Sequence, residues 1–596
     1  MTKHASIMRQ LSPVRNSTTL NEAPELAREQ LQHFGIDPES VYGQALLQVT
    51  THLYQTGNEL HQIAILNDSL KRLPKTDQIS YFNAKKFLCF QLAKLIDMLQ
   101  PSLRNSYQAL DMDVSSRAVK GDYPLFANVG ALFSATPAIV RTATYLYACT
   151  EWVEDAFQGK ESTHPVYSRL LNPTSISLSN TIVSLEAGRY AADYMAWNFN
   201  SGMAAIDSLL SNQLRHGDIL LTSRNVYGGS FQLMHDFYAR PDRLDIQLEW
   251  FDGYTGEEFD ARLKAVHKDH QQRLQDGRRL FVYLESPCNP HGYVVDVPEI
   301  CRSAHQQGHL VMLDSTLATP FLSRPLHHPD KTCRPDWVIH SYTKDLSGGG
   351  STTAGGIIGE SFRMFLPKGS KHDSQNEKVN WDQTLFWDVY YIKGAFLDAD
   401  KAIEVIQGIK TLENRMLTKC INTLIFTHCL NHHPLINVNS HGLKDHPNHE
   451  LCQKLLYLGL PSPLFTIDMQ EANVPRDAFV RFFDALEPVF GHMVSLGQSN
   501  TLVLCPALTS HSEMDQQAQA KADIHLTTIR IAMGDENPRD LINQFTAAAM
   551  LHIDPVVKGF SDAFMTENEV EKLIKTIHLD VHERHLNANY QKHKSP

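Results

Sequence analysis

Asp314 closes an apolar run, LVMLD, and Ser341-Tyr342-Thr343-Lys344 follows a second apolar run, DWVIH. A carboxylate stranded at the end of an apolar strand is costly unless a cation meets it. A lysine flanked by two hydroxyls is a reactive amine beside donors suited to a phosphate. Gly348-Gly349-Gly350 and Gly355-Gly356 then let the backbone pass close to a flat ligand. Each piece alone has a plainer reading, since Ser-x-Thr-Lys is a common surface turn and a strand-terminal Asp is a common cap. Together they supply an acid for a pyridinium nitrogen and a lysine for a Schiff base, the pair that pyridoxal 5′-phosphate chemistry requires.

These groups need a scaffold that brings them to one edge. Apolar runs at 219–222, 280–284, 310–313 and 337–340 alternate with helical patterns at 257–275 and 297–307. Uninterrupted apolar strands separated by helices predict a parallel sheet covered on both faces. Ligands of such sheets sit beyond the carboxyl ends of the strands, where Glu285, Asp314 and the 341–344 turn fall. Residues 1–120 read as a helical, polar extension of unknown role, with apolar stripes at 40–60 and at 83–99. A large domain is expected over 121–397. A long helix at 398–419 would lead into a C-terminal α+β domain over 398–580, and the polar tail 581–596 is expected to fray.

The chain has 596 residues, 42% of them hydrophobic and 20% charged, with a net charge of −12. That composition supports an ordinary globular core, and the acidic balance argues against nucleic acid as a partner. No apolar run is long enough to span a membrane, and the N-terminus lacks a secretory pattern. Nine scattered cysteines without a C-x-x-C pair suggest reduced thiols and a cytoplasmic setting. The pairs His327-His328 and His432-His433 would point to opposite faces of a strand. His446-x-x-His449-Glu450 lies in a loop-like stretch, so no metal is expected.

The segment from Asp314 to Gly359 resembles the signature of the Cys/Met-metabolism family of pyridoxal-phosphate enzymes, which includes cystathionine γ-synthase, cystathionine γ-lyase and methionine γ-lyase. The resemblance continues through Tyr167-Ser168-Arg169, Asn200-Ser201-Gly202-Met203, Val226-Tyr227-Gly228-Gly229-Ser230, Glu285-Ser286-Pro287-Cys288-Asn289-Pro290, Ser495-Leu496-Gly497 and IRIAMGDE at 529–536. It implies an α/β protein of the PLP-dependent transferase fold type I. Such a protein has a mostly parallel central sheet in its large domain and a smaller C-terminal α+β domain, here with the extra helical N-terminal region.

It further implies that Lys344 carries the cofactor and moves the Cα proton, while Asp314 pairs with the pyridinium nitrogen. Tyr227 would stack on the ring and exchange a proton with the substrate amine. Gly202 and Met203 would hold the phosphate, Ser341 and Thr343 would add hydroxyl donors to that phosphate or to the lysine's surroundings, and Glu285, Asn289 and Thr316 would line the cofactor. Tyr167 and Arg169 would reach the phosphate of a neighbouring subunit, which requires a homodimer or homotetramer with shared sites. Arg530 would clamp the carboxylate of a small amino-acid substrate, with Ser495 and Asn500 nearby. The reaction class implied is γ-replacement or β/γ-elimination on sulfur-containing or O-acylated amino acids.

Some positions depart from the family pattern. Asn500 stands where relatives that handle cystathionine often carry Glu, which weakens binding of a distal ammonium. Cys505 replaces a His, and Asp314 is followed by Ser rather than Asn. Asn500 and the N-terminal extension motivate an alternative: a catalytically reduced relative with a regulatory or interaction role.

Overall fold

Seven short strands, rich in β-branched and aromatic residues, build the central sheet of the computed structural model. They are β1 (Tyr194–Phe199), β2 (Ile219–Ser223), β3 (Gln247–Phe251), β4 (Leu280–Glu285), β5 (Leu310–Asp314), β6 (Trp337–His340) and β7 (Gly355–Glu360). The structure describes residues 22–65, 75–121, 129–147, 149–158, 166–374, 377–509 and 525–592. Strand order is β1-β7-β6-β5-β4-β2-β3. Only β7 runs against its neighbours β1 and β6, and the other pairings are parallel.

Both faces of the sheet are covered, as the continuous apolar runs require. Leu220, Phe281, Tyr283, Met312 and Ile339 pack on one side with Ile206, Leu209 and Leu210 of α1 (Gly202–Gln213). Ile219, Leu221, Val282, Leu284, Val311 and Leu313 pack on the other with Phe259, Leu263 and Ile300. This alternation is the period-2 geometry of a strand. It leaves the carboxyl ends of β4, β5 and β6 as the edge where polar groups collect.

A hairpin, β8 (Lys371–Asp373) and β9 (Lys378–Asn380), precedes the helices α2 (Ala399–Ile409) and α3 (Leu412–Asn431). The sequence suggested one helix over 398–419. Instead, the Lys410 and Thr411 N–H groups bond three residues back, to Gln407 and Gly408, which tightens and ends the first helix. The second sheet follows: β10 (Asn437–Asn439), β11 (Leu464–Asp468), β12 (Gly491–His492), β13 (Leu502–Leu504) and β14 (Ile529–Ala532), in the order β10-β11-β14-β13-β12. α4 (Glu567–Lys592) closes the chain. The expectation of a frayed tail from residue 581 therefore needs correction as far as Lys592. Val570, Ile574 and Val581 recur at helical spacing and are buried, and this packing holds the helix.

The chain divides into two units. One comprises residues 1–138 with 142–168, and the other 139–141 with 169–596. This division differs from the limit expected at residue 120; within the first unit Thr144 bridges Tyr167, and the Tyr145 and Ser168 hydroxyls lie 2.9 Å apart. The first unit contains the helices Ala23–His33, Val41–Ile65, Lys75–Gln108, Val114–Lys120 and Thr150–Phe157. Its small buried cluster is Ala23, Leu26, Ala27 and Tyr54, whereas Phe87, Phe90, Leu95 and Leu99 are exposed. No helix among the described residues is long and apolar enough to cross a membrane.

Val581 is fully buried, so Val581→Asp should lower the unfolding free energy by roughly 2–4 kcal/mol. Denaturant titration checks this, and a wild-type midpoint would mean that the last turns of α4 do not pack.

Candidate active site

The ends of β4 and β5 set two carboxylates side by side: Glu285 lies opposite Asp314 in the ladder, and both are buried. Glu285 accepts N–H bonds from Tyr227 (2.7 Å) and Asn289 (3.0 Å), and Asp314 accepts one from Thr316 (3.0 Å). Burial, with the charge of Asp314 added, holds the Glu285 carboxyl well above the usual carboxylate range. Burial also raises Asp314. Two neighbouring buried acids of this kind favour a cationic group beside them.

The turn after β6 carries the lysine. Ser341 donates its N–H to Thr316 Oγ1 (2.8 Å), and the Thr343 hydroxyl accepts the Ala354 N–H (3.0 Å) while donating to the Ala354 carbonyl (3.2 Å). The Ser341 side chain meets the start of α1: a Cβ on Gly202 would come within 2.7 Å of Ser341 Cβ, so only glycine allows this approach. The Ser201 hydroxyl caps α1 by accepting the Ala204 N–H. The open N–H groups at Gly202 and Met203, together with the positive helix end, suit an anion.

Lys344 Nζ lies 3.2 Å from Ser495 Oγ. Burial and the nearby Arg530 guanidinium bring its amine down to about 8. Arg530 projects from β14 and is itself buried, with Nη1 donating to Asn289 Oδ1 (3.2 Å) and Nη2 to the Ser495 carbonyl (2.6 Å). Among the described residues its Nε has no partner, and burial lowers the guanidinium to about 10. A buried cation whose partners among the described residues are neutral oxygens is prepared for a carboxylate. The loop carrying Ser495 depends on Gly497, whose φ is +76° and where a Cβ would approach Asp345 N to 2.7 Å and Lys344 Cβ to 2.8 Å.

The Tyr227 ring lies near Met203, since a Cβ on Gly229 would meet that ring at 2.6 Å and Met203 Sδ at 3.2 Å. Thus Lys344, Ser495, Arg530 and Asn289 form one connected set, and Glu285 joins it to Tyr227. Asn500 lies beside Gly491, and no hydrogen bond among the described residues links it to Lys344, Ser495 or Arg530. Arg169 donates to the Tyr391 carbonyl (2.7 Å) and lies over that residue's ring. Tyr167 belongs to the other unit and is substantially exposed.

Sequence reasoning missed Asp345 and Lys419, a fully buried ion pair directly behind Lys344 (2.7 Å). The available signal was a lone lysine in the apolar stretch TKCINTLIF. A cavity of about 430 Å³ opens beside Glu285, with Arg224, Asp252, Cys288, His291 and Tyr293 in its lining, and Lys344 and Arg530 are not part of that lining. His446 bonds Asn439, and His449 bonds the His441 carbonyl.

A seven-stranded, mostly parallel sheet with a lysine turn and paired acids at its carboxyl edge defines a PLP-dependent enzyme of fold type I. The Cys/Met metabolism PLP-dependent enzyme family matches residues 128–550, and the chain belongs to that family. It is 29% identical to an L-methionine gamma-lyase of Pseudomonas deceptionensis over 430 residues, covering 72% of this chain and 95% of the relative. It is also 29% identical to an O-acetyl-L-homoserine sulfhydrylase of Corynebacterium glutamicum over 423 residues, covering 68% and 90%.

Among solved structures, a putative O-acetylhomoserine (thiol)-lyase of Campylobacter jejuni, containing a pyridoxyl-lysine monophosphate, matches with a TM-score of 0.59 at 26% identity, covering 70% of this chain and 96% of that one. A cystathionine gamma lyase of Micromonospora echinospora matches at 0.56 and 25%, covering 74% and 100%. The residues present fit pyridoxal phosphate: paired buried acids for a pyridinium, a glycine-opened helix start for a phosphate, and an amine of lowered pKa.

In cofactor-free protein, acylation of Lys344 should rise with pH through a midpoint near 8, because the neutral amine is the nucleophile and burial disfavours its charged form. Mass spectrometry of the modified peptide reads this midpoint. A value near that of an ordinary lysine would contradict the site's electrostatics.

Proposed function

We propose that this PLP-dependent enzyme of Cys/Met metabolism works on amino acids with an apolar, sulfur-containing or O-acylated side chain, by γ-replacement or β/γ-elimination. The observation that carries this reading is Arg530, a buried guanidinium with an unpartnered Nε close to the amine of Lys344. Arg530 takes the substrate α-carboxylate bidentately, and the Ser495 carbonyl and Asn289 keep its plane fixed. Lys344 is the cofactor-bearing amine, and it later takes the proton at the substrate Cα. Its lowered pKa makes a neutral amine available close to neutrality.

When bound, the cofactor supplies an electron sink for the Cα electrons. Asp314 keeps the pyridinium protonated. Gly202 and Met203 N–H groups and the Ser341 hydroxyl hold the phosphate. Thr343 shapes the same turn and Thr316 braces it, with Thr343 acting chiefly through Ala354. Tyr227 would lie against the cofactor ring and would exchange a proton with the substrate amine. Glu285 sets the position of Tyr227 and Asn289. Tyr167 and Arg169 complete the phosphate site of a neighbouring subunit in a homodimer or homotetramer, and the enzyme works in the cytoplasm.

One feature favours an uncharged substrate side chain: Asn500 stands where relatives that handle cystathionine often carry Glu, and it offers no charge for a distal ammonium. The relatives named a methionine gamma-lyase and an O-acetylhomoserine sulfhydrylase agree with that chemistry.

Incubation with methionine, homocysteine, acylated homoserines and cystathionine, assayed for 2-oxo acid and thiol, tests the substrate class. Turnover of an uncharged-side-chain substrate above cystathionine is expected, and cystathionine as the best substrate would overturn the assignment. Arg530→Gln should raise KM for the amino acid about 10- to 100-fold. An unchanged KM would remove Arg530 from carboxylate binding.

A further inference from the structure

Lys419 has no exposed surface, and its ammonium sits 2.7 Å from Asp345 Oδ1 and 2.7 Å from the Gln498 carbonyl. Asp345 is the residue after Lys344, and Gln498 lies in the loop whose Ser495 meets Lys344 Nζ. One buried cation on α3 therefore ties together the two backbone segments that place the lysine amine and its hydroxyl partner. The surroundings are equally tight. A Cβ on Gly497 would approach Asp345 N to 2.7 Å, and one on Gly408, at the end of α2, would collide with the Ser347 carbonyl. Arg415, one turn before Lys419, donates to the Gly408 carbonyl (2.8 Å).

Burying an ammonium and a carboxylate is expensive, and an apolar pair of equal volume often serves stability as well or better. Stability alone therefore gives little reason for such a pair, whereas holding two segments in register does. We propose that Lys419 and Asp345 are positioning residues that lock the Lys344 turn to the Ser495–Gln498 loop and set the electrostatic field at the Lys344 amine. This rests on the reading of Lys344 as the cofactor-bearing amine. The charged groups facing the cluster are Arg530 at Lys344, and Asp535 and Arg415 near Lys419. The pair is itself neutral, so removal of either member leaves an uncompensated charge of known sign.

The test reads the pH midpoint of Lys344 acylation in cofactor-free protein, with circular dichroism as a fold control. Lys419→Met leaves Asp345 as an uncompensated anion and should raise the midpoint by about one unit. Asp345→Asn leaves Lys419 as an uncompensated cation and should lower it by a similar amount. The double variant D345N/K419M should return the midpoint close to the wild-type value. With cofactor bound, the double variant should still lose about tenfold in kcat at nearly constant KM, because the Gln498 carbonyl has lost its tether.

If the single variants fold with wild-type midpoints, the field claim is overturned. If the singles do not fold, the double variant decides, and wild-type kcat in it overturns the positioning claim. The midpoints need no cofactor, so they stand apart from the role of Lys344. If Lys344→Ala retains bound cofactor, the functional reading fails while the midpoint result is untouched.

Discussion

The constraint on which this site depends is charge buried at the carboxyl edge of a parallel sheet. β4 and β5 end in register on Glu285 and Asp314, and a few side chains away lie the buried Arg530 and the half-buried Lys344. None of these charges can remain there without partners of the right sign and direction. The backbone supplies some partners, such as the N–H groups of Tyr227, Asn289 and Thr316. On the reading proposed above, the rest of the demand would be met by a flat cofactor with a cationic ring nitrogen and an anionic phosphate, and by a substrate carboxylate.

The two sheets serve that demand differently. The seven-stranded sheet presents the acids and the lysine turn, while β14 of the second sheet delivers Arg530 against Asn289 and Ser495. Neither sheet makes the site alone. The helices α2 and α3 press on the turn from behind, where glycines at 408 and 497 allow backbone to touch backbone or Cβ. The lowered pKa of Lys344 follows from this crowding: burial and a neighbouring guanidinium both disfavour its charged form.

Much of this was legible in the sequence. The apolar runs ending in Glu285 and Asp314 located the strands to within a residue, because a doubly covered parallel sheet leaves little choice of residue type. The Ser341–Lys344 turn and its glycines marked the chemistry. Three kinds of feature were hidden. The break at Lys410-Thr411 depends on hydrogen bonds three residues back, which no periodicity announces. The last helix depends on Val581 finding a buried place, although its flanking residues are polar. The Lys419–Asp345 pair joins residues 74 apart in sequence, so only the fold reveals that they meet. The hydroxyl of Thr343 illustrates the same point, since its residue type suits a phosphate but its hydrogen bonds go to Ala354.

At the centre of the proposed site is Lys344 as the amine that holds the cofactor. Borohydride reduction of the cofactor-loaded enzyme, followed by proteolysis and mass spectrometry, tests this directly. The prediction is a single phosphopyridoxyl modification on the peptide containing Lys344. A modification on a different lysine, or none in protein that retains the cofactor, would contradict it.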